Sequence, residues 1–273
     1  MAGDRSQWIL QALEEAEVQN PELSAYYQFH RALFKVLDRA KGEILRTLEM
    51  AGQEGLQARL LQGLPALSFA QLPLEVGPFA RLLSIVAQLL MEYHPELAGQ
   101  TIPDSPAECL AVARQRFEGG QVDQEHSGEQ GEITLAQVSV DLVLKPYLEW
   151  AAEQVLPHLN QELWRRGYCP VCGGAADFAA LDEETGARRL LCSRCNSVWL
   201  YQRLGCPFCG TTDHTQLFYY PSKGNLYRLY VCEACQRYLK TIDLREAGRE
   251  VLLSVERVTT VAMDTAARRA GYQ

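Results

Sequence analysis

Long apolar runs are missing from this chain of 273 residues, and none is long enough to span a bilayer, so insertion into a membrane is not expected. The first residues, Met1-Ala2-Gly3-Asp4-Arg5-Ser6, have neither the basic start nor the apolar core of a secretory signal. A basic excess is missing too: Lys and Arg number 26 against 34 Asp and Glu. The resulting net charge of −8 opposes sequence-blind attraction to nucleic acid phosphate. Histidine is sparse, at positions 30, 94, 126, 158 and 214, and no two stand at metal-ligand spacing. His214 alone lies near a cysteine pair, where a surface turn residue is the simpler reading. A glycine-rich phosphate loop, a nucleophile elbow and an HExxH helix are all lacking. No catalytic residue and no organic cofactor motif can be named, which points away from an enzyme.

Cysteine is nearly absent from the first 165 residues, where Cys109 stands alone. It falls in line with Ala113 and Phe117 of an expected helix and reads as a small buried hydrophobe. The other eight form four CxxC pairs: Cys169/Cys172, Cys192/Cys195, Cys206/Cys209 and Cys232/Cys235. Two residues between cysteines let one tight turn aim both sulfurs at one point. Two such turns supply the four thiolates of a tetrahedral metal site, so four turns make two sites. Disulfides are disfavoured because dense bridging belongs to small secreted chains. Thiol–disulfide chemistry would require four independent redox pairs. Four thiolates close a coordination sphere, which favours a staple over a catalytic metal.

The first and third pairs run into Gly173 and Gly210, which take positive φ without penalty. The second and fourth run into Asn196 and Gln236, of which Asn tolerates that region moderately and Gln less. This alternation marks an internal duplication. In each copy β-like residues precede the second knuckle, Leu190-Leu191 and Leu229-Tyr230-Val231. Turn signals stand before them at Glu184-Thr185-Gly186 and Ser222-Lys223-Gly224-Asn225. Consecutive pairing, Cys169/Cys172 with Cys192/Cys195 and Cys206/Cys209 with Cys232/Cys235, closes each hairpin on itself. The spacing also admits a cross-braced arrangement. From Gly167 to Thr241 eight basic residues face six acidic ones with no basic cluster, which makes a zinc-ribbon nucleic-acid module the least favoured function.

The remainder reads as helix. Asn20 and Pro21 suit a helix start, followed by a stripe of Tyr26, Phe29, Leu33, Val36, Leu37, Ile44 and Leu48. A second helix is expected over Pro78–Tyr93, burying Phe79, Leu82, Leu83, Val86, Leu89 and Leu90. A third starts at Ser105-Pro106-Ala107-Glu108, a capping box with proline in the first turn. Residues 119–132 read as a loop. A helical stretch then runs from Thr134 to Arg166, with Pro146 and Pro157 bending or restarting it. The fold class is α+β. A helical domain (1–166) precedes two tandem rubredoxin-like, zinc-ribbon metal hairpins (167–203 and 204–243) and a short C-terminal helical segment (244–273).

The order CPxCG, CxxC, Trp199, Arg203, CPxCG, CxxC and Tyr238-Leu239-Lys240 resembles the formate dehydrogenase accessory proteins of bacteria, the FdhE-type family. The likeness continues through Val258-Thr259-Thr260-Val261-Ala262-Met263-Asp264 to Ala270-Gly271-Tyr272. It is specific in the cysteine half and looser in the helical half, at Leu64-Pro65 and Leu72-Pro73. It implies a cytoplasmic assembly factor whose partner is the catalytic subunit of formate dehydrogenase. It further implies an iron ion in each of the two cysteine sites, with zinc as the alternative occupant. A redox or sulfur-transfer role on the same client is the competing function, and a homodimer is an assembly open to such a chain.

Overall fold

The computed structural model describes residues 2–44, 52–119 and 134–273. Eight α-helices are described: α1 (Ala2–Gln19), α2 (Ser24–Gly42), α3 (Gln53–Leu61), α4 (Val76–Tyr93), α5 (Pro106–Gly119), α6 (Leu135–Val155), α7 (Leu253–Thr259) and α8 (Val261–Arg269). Six strands lie between α6 and α7: β1 (Ala176–Leu181), β2 (Arg188–Cys192), β3 (Val198–Tyr201), β4 (Leu217–Pro221), β5 (Tyr227–Cys232) and β6 (Arg237–Asp243). The fold is α+β. Two compact units are formed, one from α1, α2, α4, α5 and nearly all of α6, the other from α3, the strands, α7 and α8.

The helical unit follows the apolar stripes. On α4 the buried side chains are Phe79, Leu82, Leu83, Val86, Ala87 and Leu90, and Leu89 is half-buried. On α2 they are Tyr27, Phe29 and Leu33. Asn20 does not cap α2, contrary to expectation: its side-chain amide donates back to the Ala16 carbonyl at 2.9 Å, closing α1 instead. Helix α1 was not foreseen, and the chain enters α2 through a 3-10 turn at Pro21–Leu23. Ile44 lies beyond the end of α2, and Leu48 and His126 lie outside the described residues; of the expected loop at 119–132, Gly119 belongs to α5 and the rest lies outside the described residues.

The capping box at α5 forms as expected: the Glu108 N–H donates to Ser105 Oγ at 3.2 Å and the Ser105 N–H to Glu108 Oε2 at 3.3 Å. Cys109 is buried among the packed residues of α5, with Ala113 and Phe117. Pro146 is carried inside α6 without ending it. The expected helix to Arg166 is corrected: α6 ends at Val155, and two 3-10 turns, Leu156–His158 and Gln161–Leu163, replace it. Pro157 lacks an N–H to continue the ladder, and Asn160 Oδ1 accepts the Glu162 N–H at 3.1 Å in a competing turn.

In the second unit the strands form one continuous sheet in the order β3-β2-β1-β6-β5-β4. It is two antiparallel three-stranded meanders, β1-β2-β3 and β4-β5-β6, joined by parallel pairing of β1 with β6. The join sets Phe178 opposite Lys240 and Leu181 opposite Asp243. Phe178, Ala180, Leu191 and Ile242 form a buried cluster, against which Val251 and Leu253 pack from the C-terminal segment. That segment is two helices broken at Thr260, whose hydroxyl donates to the Glu256 carbonyl at 2.7 Å. Trp164 and Trp199 are fully buried, and their indole N–H groups donate to the carbonyls of Tyr168 (2.7 Å) and Arg166 (2.9 Å). The α3 segment is tied to the rest of this unit by two hydrogen bonds: the Tyr168 side-chain Oη donates to Gly63 O, and the Ala66 N–H donates to Pro170 O, both at 2.8 Å.

Candidate metal centre

Each knuckle is a tight turn closed by backbone bonds that repeat with the sequence. The Cys169 N–H donates to Gly174 O (2.8 Å), Cys192 to Ser197 O (2.9 Å) and Cys206 to Thr211 O (2.9 Å). Cys232 faces Arg237 in the same offset across β5 and β6. To turn so sharply, the residue after the second cysteine enters the left-handed region in all four knuckles: Gly173 (φ 75°), Asn196 (56°), Gly210 (74°) and Gln236 (53°). Asn196 and Gln236 thus reproduce a glycine's conformation at the strain of a side chain. Their side chains are held. Asn196 Oδ1 accepts from Arg257 at 2.7 Å, and the Gln236 amide donates to Glu233 O at 2.9 Å.

The knuckles meet in consecutive pairs. Cys169, Cys172, Cys192 and Cys195 form one quartet and Cys206, Cys209, Cys232 and Cys235 the other, with the sulfurs of each within 4.8 Å of one another. The strand register explains this, since β1 and β2, or β4 and β5, carry the second knuckle of each copy back beside the first. These are the groups of this kind among the described residues. His214 is exposed in a surface turn. Cys109 belongs to neither group.

The sulfur separations test what such a quartet fits. In the first they are 3.6 Å (Cys169–Cys195), 3.5 Å (Cys172–Cys192) and 3.5 Å (Cys172–Cys195). In the second they are 3.6 Å (Cys206–Cys235) and 3.7 Å (Cys209–Cys232). A disulfide needs about 2.05 Å, and all the cysteines are free thiols. A tetrahedron of sulfurs about 2.3 Å from a central ion has edges of about 3.8 Å, so each quartet has the size of a four-thiolate cage.

The surroundings differ between the two. All four cysteines of the first quartet are buried, whereas Cys209 is exposed and Cys235 half-buried in the second. N–H groups of Val171 and Arg194 point at Cys169 Sγ and Cys192 Sγ, each at 3.4 Å, and Ser197 Oγ lies 3.0 Å from Cys195 Sγ. Burial pushes the Cys169 and Cys195 thiols well above the ordinary range, while hydrogen bonds from the three neighbouring thiols pull Cys172 well below it. In the second quartet burial raises Cys206 to about 11. Four thiols this close cannot all ionise together unaided. A central dication makes four thiolates acceptable at once.

The C-terminal helices brace these turns. From α7, Arg257 reaches Asp177 Oδ1 (3.1 Å), the Cys192 carbonyl (3.2 Å) and Asn196. From α8, Asp264 accepts from Lys240 Nζ at 2.6 Å and from Tyr238 Oη at 2.8 Å. Spacing did not reveal these partners, although the motif pieces containing Tyr238, Lys240 and Asp264 did stand out.

No protein-family profile matches the chain. The FdhE homologue of Aquifex aeolicus is 27% identical over 227 residues, covering 80% of this chain and 75% of that protein. The homologue from Pseudomonas aeruginosa is 28% identical over 178 residues, 56% of this chain and 57% of that one. The crystal structure of the FdhE protein from Pseudomonas aeruginosa shares the fold, with a TM-score of 0.64 at 20% identity over 98% of this chain and 91% of that chain. The chain is thus similar in sequence to an FdhE homologue across four fifths of its length, and it shares the fold of an FdhE protein across nearly all of it.

Proposed function

We propose that this protein is a cytoplasmic, non-enzymatic assembly factor that binds the catalytic subunit of formate dehydrogenase and supports its maturation. Kinship with the FdhE proteins carries the reading, because it runs through most of the chain rather than through the cysteine motifs alone. Cys169, Cys172, Cys192 and Cys195 would hold one metal ion, and Cys206, Cys209, Cys232 and Cys235 a second, iron by the family resemblance or zinc. Bound there, an ion supplies folding free energy to a sheet whose turns are otherwise held by short hairpins. The protein's own residues do the rest: the sheet and the C-terminal helices fix the knuckles, and all four donor positions are filled by sulfur. No histidine joins either group among the described residues, and four thiolates on one ion would leave no position open for a substrate.

The test is recovery of formate dehydrogenase activity in cells lacking the factor, together with co-purification of the catalytic subunit. A holder needs its knuckles only for shape, so zinc-loaded protein should support maturation about as well as iron-loaded protein. The exposure of Cys209 supports a second reading, a redox or sulfur-transfer role at the second quartet. Full client binding with no recovered activity from the zinc form would replace the first reading by the second. Absence of the catalytic subunit from the purified complex would remove both.

A further inference from the structure

Strand β4 is an edge of the sheet, and its outer side pairs with no strand among the described residues. It is short and ends at Pro221, features that limit uncontrolled edge-to-edge association. Yet its side chains are apolar and turned to solvent: Phe218, Tyr219 and Tyr220 are 46%, 50% and 56% exposed, and Leu204 beside them is 76% exposed. Surface aromatics gathered in this way mark an interaction site more often than single exposed residues do.

Beneath this edge, between β4, β5 and the loop at 203–208, lies a cavity of 190 Å³. Its lining is mostly apolar and includes Phe208, Phe218 and Tyr230. Three arginines also line it, Arg188, Arg203 and Arg237, with no Asp or Glu, and so do Cys206 and Cys232 of the second quartet. Four thiolates about a dication carry a net charge of about −2, so the three guanidinium groups leave the cavity net positive in a chain of net charge −8. Arg188 is only 3% exposed. One of its terminal nitrogens donates to Gly205 O at 2.9 Å, and its guanidinium lies 4.4 Å from the Tyr230 ring centre. Its Nε is buried and has no hydrogen-bond partner among the described residues. The fixed positive charge of this buried guanidinium in the cavity wall favours an anion at the cavity's mouth.

We infer that β4 and this cavity form the docking site for an extended, acidic and apolar peptide segment of the client. The segment adds as a further strand along β4, sets an apolar side chain into the cavity and brings a neighbouring carboxylate to the three arginines. Main-chain pairing supplies affinity, and the cavity and charge supply selectivity. The inference rests on the reading of this protein as a client binder, and assigns that binding to a surface.

The test uses the zinc-loaded full chain and a labelled seven-residue peptide alternating leucine and glutamate, with leucine–lysine and backbone N-methylated versions as controls. Saturable binding of the first peptide is expected, with both controls weakened about tenfold or more. The amide signals of Tyr219 and Tyr220 should shift on titration. Phe218→Glu and Arg203→Glu, changed at the rim of the site, should each lose about tenfold in affinity with an unaltered circular dichroism spectrum and metal content. Arg188→Gln should remove the preference for glutamate over lysine. Equal binding of the lysine peptide, indifference to the N-methyl groups, or no binding up to about 1 mM would overturn the assignment. A change of oligomeric state in Phe218→Glu with no effect on peptide binding would also overturn it, assigning the edge to a second copy of the chain. Client co-purification run in parallel separates the two levels. If the wild type captures the catalytic subunit and Phe218→Glu captures it equally, the surface is wrong and the function stands. If the wild type captures none, the function itself fails, while the peptide titration still judges the site.

Discussion

Lys240 Nζ sits 2.6 Å from Asp264 Oδ2, and the lysine side chain is only 4% exposed. Lys240 comes from β6, the strand that joins the two meanders, and Asp264 from the last helix, so the pair fastens α8 to the centre of the sheet. The same ammonium donates to the Arg257 carbonyl at 2.7 Å. A buried pair of this kind contributes little over a well-packed apolar pair, but breaking one half of it leaves a charge stranded. Asp264→Ala is expected to destabilise the second unit by about 3–5 kcal/mol. The double variant Lys240→Met/Asp264→Leu should recover most of that loss. Denaturant unfolding of the three proteins, metal-loaded, decides the matter; equal stability of Asp264→Ala and wild type would show the pair to be idle.

The phenol of Tyr238 donates to the same carboxylate. Burial, reinforced by that hydrogen bond, raises its pKa to about 12. The folded value lies above the unfolded value of about 10, so the stability it contributes is fully present below that pH and is lost as pH rises through the folded value. Burial or a carboxylate partner raises Tyr27, Tyr147, Tyr201, Tyr227 and Tyr272 as well, so phenolate absorbance should show one late-titrating group fewer in Tyr238→Phe than in the wild type. The stability difference between the two proteins should shrink across the same alkaline window. A difference that stayed constant from neutral pH upward would detach Tyr238 from the effect.

The quartets differ in exposure, and metal exchange should follow that difference. Water and chelator reach Cys209 directly, whereas every sulfur of the first quartet is buried. In a two-metal protein challenged with a chelator, the first equivalent is expected to leave from the second quartet. Iodoacetamide should then label Cys209 and Cys235 before any of Cys169, Cys172, Cys192 or Cys195. Cys206→Ser should bind one ion and keep β1–β3 folded, while Cys169→Ser should unfold more of the sheet, because its quartet lies nearer the buried cluster around Phe178 and Leu191. Simultaneous release of both ions, with uniform labelling, would make the sites equivalent.

Much of this arrangement was legible in the chain because it is local. A CxxC spacing brings two sulfurs together within one turn, and Ser105 with Glu108 spells a capping box in four residues. Gly173 and Gly210 announce positive φ, whereas Gln236 adopts it only because the knuckle repeats the geometry of its glycine counterparts. The parallel pairing of β1 with β6 was not legible: it joins residues about sixty positions apart, and nothing in either strand's alternation specifies that neighbour. Asn20 shows the opposite failure. Its local chemistry suits a cap, but the preceding helix α1 claims its side chain first. The bracing of the knuckles by Arg257 and Asp264 depends on tertiary packing, so its residues were visible as motif pieces while their partners were not.

Gly167 offers the sharpest steric test of how the two copies are joined. A Cβ built on it would stand 1.8 Å from the Pro207 carbonyl oxygen and 2.7 Å from its carbon, both main-chain atoms of the third knuckle. A flexible side chain could swing away from such a collision; a backbone carbonyl inside a closed CPxC turn cannot without moving the turn. Gly167→Ala is therefore expected to cost about 1–3 kcal/mol, the range for overpacking a well-filled site. The strain should fall on the second quartet, through Cys206 and Cys209, although the substitution lies at the entrance to the first. Metal titration should show the second equivalent weakened and the first unchanged, and Gly210→Ala, with its positive φ of 74° and open space around it, serves as the local-strain comparison. If Gly167→Ala bound both ions as tightly as the wild type, the close approach of residue 167 to the third knuckle would be no part of what holds the site.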